Sequence, residues 1–121
     1  MAIHDVLIVD DSKTELAYLS GILTKTGYAV TTVESAEAAQ QHLARAKPDL
    51  ILLDVVMPGQ NGFKLTRVLS RDPRYTDVPI ILCTSKDQAT DRIWGLRQGA
   101  RAYLVKPVDP AELLKQIRAL D

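Results

Sequence analysis

The sequence holds one cysteine, Cys83, so no disulfide can form within the chain. It also lacks a surplus of either charge: 15 lysines and arginines balance 15 aspartates and glutamates. Non-specific nucleic-acid binding needs a basic face, and this composition offers nothing spare to build one. No apolar run approaches the ~20 residues needed to cross a bilayer. The amino terminus, MAIHDVLIVDD, has neither the basic segment nor the long apolar core of a signal peptide. These absences lead us to expect a cytoplasmic protein with no membrane insertion and no nucleic-acid partner. Repeats, low-complexity segments and linkers are missing too. A length of 121 residues suits one domain with one core, so residues 1–121 are expected to form a single domain with no room for another.

What is present is an alternation of apolar runs with amphipathic stretches, the pattern of βα units around a parallel sheet. Val6–Val9, Tyr28–Val33, Leu50–Leu53, Pro79–Cys83 and Ala102–Val105 are expected as strands. Continuous apolar character marks strands buried on both faces. Helix signals separate them. Ser12-Lys13-Thr14-Glu15 fits a capping box, and Gly27 suits that helix's end. Ser35 is placed to cap a second helix, and Asn61 or Gly62 to open a third. A fourth is expected from about Gln88 to Gln98, closed by Gly99. Asp109-Pro110-Ala111-Glu112 opens a fifth, with proline at the first helical position and Glu112 reaching back. Around the fourth helix, Ile93 and Leu96 share a face with Ala89 and Ala100 and read as its core stripe. Trp94 lies on a more polar face, either half-packed or available to a partner. Right-handed crossovers put helices on both faces of the resulting sheet.

On this frame the polar residues fall at strand ends. Asp10 and Asp11 close the first strand, Asp54 the third, Thr84 and Ser85 the fourth, and Lys106 the fifth. The carboxyl ends of parallel strands share one edge, where such sheets bind ligands. Crowded carboxylates repel and should not all be ionised without a cation. Oxygen-only donors suit a hard ion such as Mg²⁺, and no histidine or cysteine joins the cluster, which argues against zinc. A carboxylate beside a metal, a lysine and a hydroxyl can act as a nucleophile toward phosphorus. Taken singly, each residue has an ordinary reading: an acidic pair is a solvated turn, Lys106 a surface lysine, Thr84 and Ser85 strand-end caps.

Four segments in order, LIVDDS (7–12), LILLDVVMPGQNG (50–62), PIILCTS (79–85) and YLVKPVD (103–109), resemble the receiver domain of bacterial response regulators, the family of the chemotaxis protein CheY. The resemblance implies an α/β, flavodoxin-like, doubly wound (βα)5 fold with a five-stranded parallel sheet of order 2-1-3-4-5. It makes Asp54 the phosphoacceptor and Asp11 the direct ligand of Mg²⁺, with Asp10 acting partly through water and the Val56 backbone carbonyl completing the set. Lys106 would pair with the phosphoryl group, while the Thr84 hydroxyl and the Ser85 backbone N–H bind its other oxygens. Tyr103 would rotate inward when Thr84 moves. Lys106-Pro107 resembles the family's cis peptide. DDS and DRIWGLRQGARAYLVKPVD look most like stand-alone PilH-type regulators of type IV pilus (twitching) chemosensory systems. The implied partners are a chemotaxis-type histidine kinase and a downstream motility protein docking on the fourth helix, fifth strand and fifth helix of a monomer.

Two positions depart from many relatives. Val56 is apolar two residues past Asp54, and Lys86 is cationic two past Thr84; both should flank the phosphoryl group. Competing readings are a phosphate sink for a shared kinase, a phosphohydrolase using an aspartyl-phosphate, and a nucleotide-binding module. The hydrolase reading lacks the second aspartate that haloacid dehalogenase-type enzymes carry where Val56 stands. The nucleotide reading lacks glycines in LIVDDSKTE.

Overall fold

The computed structural model describes residues 2–121. Five strands, β1 (Asp5–Val9), β2 (Ala29–Val33), β3 (Leu50–Leu53), β4 (Ile80–Thr84) and β5 (Ala102–Val105), alternate with five helices, α1 (Lys13–Lys25), α2 (Ala36–Leu43), α3 (Gly62–Arg71), α4 (Ala89–Arg97) and α5 (Pro110–Leu120). The strands form one sheet in the order β2-β1-β3-β4-β5, and every pairing is parallel. This is the flavodoxin-like order that the resemblance implies.

Strand side chains alternate between two cores, as the period of two requires. Leu7, Val9, Ile51, Leu53, Ile80 and Leu82 pack with α2 and α3. Val6, Ile8, Leu50, Leu52, Ile81 and Cys83 pack against α1 and α5. Both faces are therefore dry, and β1, β3 and β4 read as unbroken apolar runs for that reason.

The helix caps follow the sequence signals with two exceptions. Ser12, Ser35, Asn61 and Asp109 each accept a backbone N–H in the first turn of their helix. Gly27 and Gly99 lie just past α1 and α4. The reciprocal halves of the two expected capping boxes do not form. The Ser12 amide donates to Asp10 Oδ1 at 2.9 Å, so Glu15 does not reach back to it. The Glu112 carboxylate instead accepts from Gln116 Nε2 at 2.9 Å, one helical turn on.

The core stripe assigned to α4 is corrected in all but Ala100, which is buried just past the helix, while Ala89 is exposed. Ile93 is 50% and Leu96 43% exposed, and the residue α4 buries is Gly95. The reason is distance. A Cβ on Gly95 would lie 2.8 Å from Leu82 Cδ1 and 3.0 Å from Tyr103 Cδ2, so α4 sits so close to the sheet that a side chain there would have to displace Leu82. The large apolar residues are turned outward, and Trp94 is half exposed with them.

Between β3 and α3 the chain makes a two-stranded antiparallel ribbon, Val56–Met57 against Gln60–Asn61. Gly59 turns it with φ +78°, a conformation glycine adopts without steric cost, directly after Pro58. Gly62 then brings α3 against the backbone of Asp54 and Val55, its amide donating to the Val55 carbonyl at 2.9 Å. Ribbon and helix together fix the loop that follows Asp54.

Candidate functional site

Strand register brings the polar residues to one edge. The Asp54 amide donates to the Val9 carbonyl at 3.0 Å, which seats the end of β3 beside the end of β1. The Lys106 amide donates to the Thr84 carbonyl at 2.8 Å, tying β5 to β4. Asp10 and Asp54 are buried, at 2% and 5% exposure, and Asp11 is exposed at the rim. One oxygen from each of these three carboxylates lies within 4.8 Å of the others.

Lys106 spans the buried pair. Its Nζ donates to Asp10 Oδ2 at 2.7 Å and stands 3.6 Å from Asp54 Oδ2. Both carboxylate oxygens of Asp10 are thereby engaged, one by Ser12 and one by Lys106. Asp54 is held more loosely: the contact it accepts from the Val56 amide is a long 3.4 Å. Burial pushes the Asp54 carboxyl above its ordinary range; the Asp10 charge adds to this, and Lys106 opposes it. Crowding therefore acts on Asp54 with the expected sign. For Lys106, burial alone would lower the pKa, but the Asp10 hydrogen bond and the surrounding carboxylates outweigh it and raise it.

The other expected residues fall into three places. Thr84 is fully buried at the end of β4, where its hydroxyl oxygen accepts the Lys86 amide at 3.3 Å, and donation from its O–H favours the ionised form of Asp54. Ser85 follows it, exposed. The Val56 side chain is 52% exposed on the rim. Lys86 turns toward Asp91 at the start of α4, 3.9 Å away. Tyr103 is set back from the carboxylates and lies inside the protein at 2% exposure. Its hydroxyl donates to the Lys86 carbonyl at 2.8 Å, and the Arg92 guanidinium covers its ring at 5.6 Å. Tyr103 is therefore held inside the protein between β4 and α4 in this structure. Burial pushes its phenol up to about 12. Burial likewise raises the Cys83 thiol to about 12, consistent with a small core residue. The Lys106-Pro107 peptide is cis.

One residue of the site was missed by the sequence reading. Glu15, assigned to a helix cap, faces the carboxylates instead. Burial raises its carboxyl, Lys106 opposes the rise, and Asp10 and Asp54 add to it. Its spacing, four residues past Asp11 and so in the first turn of α1, was the available signal.

The donor set suits a small hard cation. It is made of carboxylate oxygens, it carries more negative charge than one lysine offsets, and it contains no soft or imidazole ligand.

Comparison with known proteins agrees with this geometry. The family model described as the response regulator receiver domain matches residues 6–118. Protein PilH of Pseudomonas aeruginosa is 49% identical over 115 residues, covering 95% of each chain. A response regulator from Chloroflexus aurantiacus superposes with a TM-score of 0.92 at 33% identity, over 98% of this chain and 97% of that one. The chemotaxis response regulator CheY4 of Vibrio cholerae gives 0.90 at 31%, over 99% and 100%.

Proposed function

Because the chain belongs to the response regulator receiver family, we propose that it is a signalling switch, phosphorylated on Asp54 by a histidine kinase and acting through phosphorylation-dependent docking. The observation that carries the reading is Lys106 Nζ, 2.7 Å from Asp10 and 3.6 Å from Asp54, at the edge where all five strands end.

In the proposed reaction an Asp54 carboxylate oxygen attacks phosphorus of a phosphohistidine. A P–O bond forms, the P–N bond breaks, and the imidazole leaves with the electron pair. Lys106 is placed to follow the charge from the free carboxylate onto the phosphoryl oxygens, and the Thr84 hydroxyl and Ser85 N–H are placed to donate to them. Asp10, Asp11, Asp54 and the Val56 carbonyl would hold Mg²⁺, which when bound offsets charge on the transferring oxygens. Val56 supplies no acid two residues past Asp54, which disfavours a phosphohydrolase with multiple turnover.

The signal would leave through Thr84 and Tyr103. A Thr84 hydroxyl drawn toward the phosphoryl group would favour the inward Tyr103 only by its differential interaction energy; about 1.4 kcal/mol changes the ratio tenfold. The docking surface would be α4, β5 and α5, where a groove of about 430 Å³ runs between Arg92, Leu96, Arg101, Glu112 and Gln116. Ile93 and Leu96 offer apolar contacts beside it. With PilH as a relative, we place this switch under a chemotaxis-type kinase in control of type IV pilus (twitching) motility, as a cytoplasmic monomer.

The test is incubation with acetyl phosphate and Mg²⁺. A receiver carries at most one phosphoryl group per chain, and water slowly returns it to free Asp54 and inorganic phosphate. Absence of any labelled chain, or rapid turnover of a phosphate monoester, would refute the reading.

A further inference from the structure

Glu15 sits in the first turn of α1, freed from its cap by the Ser12–Asp10 hydrogen bond. Its side chain is half-buried, and Oε1 is enclosed without a hydrogen-bond partner among the described residues. A buried carboxylate oxygen left without a donor is unfavourable, and the charge makes it more so. The nearby cation is Lys106, whose ammonium is already committed to Asp10. The three oxygens that converge within 4.8 Å belong to Asp10, Asp11 and Asp54, and Glu15 stands outside that convergence. Direct coordination is therefore the role of the three, and the role open to Glu15 is through water.

We propose that Glu15 is a positioning residue of the metal site, its buried oxygen accepting a hydrogen bond from a water of the hydrated Mg²⁺ ion. Mg²⁺ dehydrates reluctantly and keeps several waters, each a strong donor polarised by the ion. Such a water gives Oε1 the donor it lacks and fixes the orientation of the hydrated ion over Asp54. This inference rests on the receiver reading of the site.

The test is calorimetric titration of the full chain with Mg²⁺ at neutral pH, comparing wild type, Glu15→Gln and Asp11→Ala, with urea midpoints measured in parallel. Outer partners of a metal site commonly contribute 10–100-fold in affinity, so Glu15→Gln should weaken Mg²⁺ binding by about tenfold. The metal-free urea midpoint should change little, because Gln keeps the shape and loses only a first-turn charge. Glu15→Asp, shorter but charged, should recover part of the affinity. If Glu15→Gln binds Mg²⁺ within roughly twofold of wild type while Asp11→Ala does not bind, the role given to Glu15 is wrong and the receiver site stands. If wild type itself shows no Mg²⁺ binding, the reading of the site fails with it. A loss of metal-free stability without a change in affinity would make Glu15 a helix-end charge and overturn the proposal.

Discussion

Two glycine-to-alanine substitutions should move stability in opposite directions, and the structure gives the reason for each. Gly21 lies inside α1 with nothing within 4 Å of where a Cβ would be. Gly21→Ala should therefore gain the helix-propensity difference, about 0.8–1.0 kcal/mol. Gly62 opens α3, and a Cβ there would collide with the Asp54 carbonyl oxygen and lie 2.7 Å from Val55 Cα. Neither position has positive φ, so the difference is one of contact and not of backbone strain. The atoms met at Gly62 are backbone and cannot rotate aside, so overpacking should cost about 2–3 kcal/mol, the upper part of its usual range. Even if the whole propensity gain applied at Gly62, the sum stays unfavourable by about 1–2 kcal/mol. With a urea slope of about 1–3 kcal/mol per M, the midpoint should fall by roughly 1 M for Gly62→Ala and rise by about 0.5 M for Gly21→Ala. Because the displaced group is the Asp54 carbonyl, Gly62→Ala should also slow labelling by acetyl phosphate, whereas Gly21→Ala should not. Equal signs for the two midpoint shifts would show that α3 does not approach the Asp54 loop as described.

Three further outcomes are expected. The folded pKa of Asp54 is raised, so the native state binds more protons, and stability is lost as pH climbs from the unfolded value to the folded one. Asp54→Asn should thus match wild type in acid and become the more stable protein as pH rises through the carboxylate range, by about 1.4 kcal/mol for each tenfold increase in proton affinity that Asn removes; urea midpoints against pH test this, and a pH-independent gap contradicts it. Tyr103→Phe removes the 2.8 Å hydrogen bond to the Lys86 carbonyl and should destabilise by about 1 kcal/mol, measured the same way. Thr84→Ala should still accept a phosphoryl group but lose much of the difference in partner affinity between the two forms; a titration that finds the full wild-type ratio would remove Thr84 from the route.

Much of the fold was legible because it depends on local signals. Leu50–Leu53 is apolar throughout because both faces of β3 are covered. Asp109-Pro110 opens α5 because the cap needs a side-chain oxygen and the first helical residue needs no N–H. The site was legible for the same reason: its residues sit at strand ends, and parallel topology carries strand ends to one edge. What failed depends on partners outside the helix itself. Periodicity favours large apolar residues as a helix's inner face, yet α4 approaches Leu82 and Tyr103 so closely that a side chain in place of Gly95 would have to displace Leu82. Glu15 matched a capping pattern, but the Ser12 amide it should have served was taken by Asp10 from β1's end. For α4 the competing partners come from other elements, and spacing within the helix carries no trace of them; for Glu15 the competitor is local, Asp10 two residues before Ser12, and the capping pattern took no account of it.

The central claim is that Asp54 receives the phosphoryl group. Intact mass after acetyl phosphate and Mg²⁺, followed by mapping of the labelled peptide, addresses it directly. Wild type should gain a single phosphoryl group on the peptide containing Asp54, and Asp54→Asn, folded by circular dichroism, should gain none. Undiminished labelling of the Asn variant, or a label mapped away from Asp54 in wild type, would contradict the account.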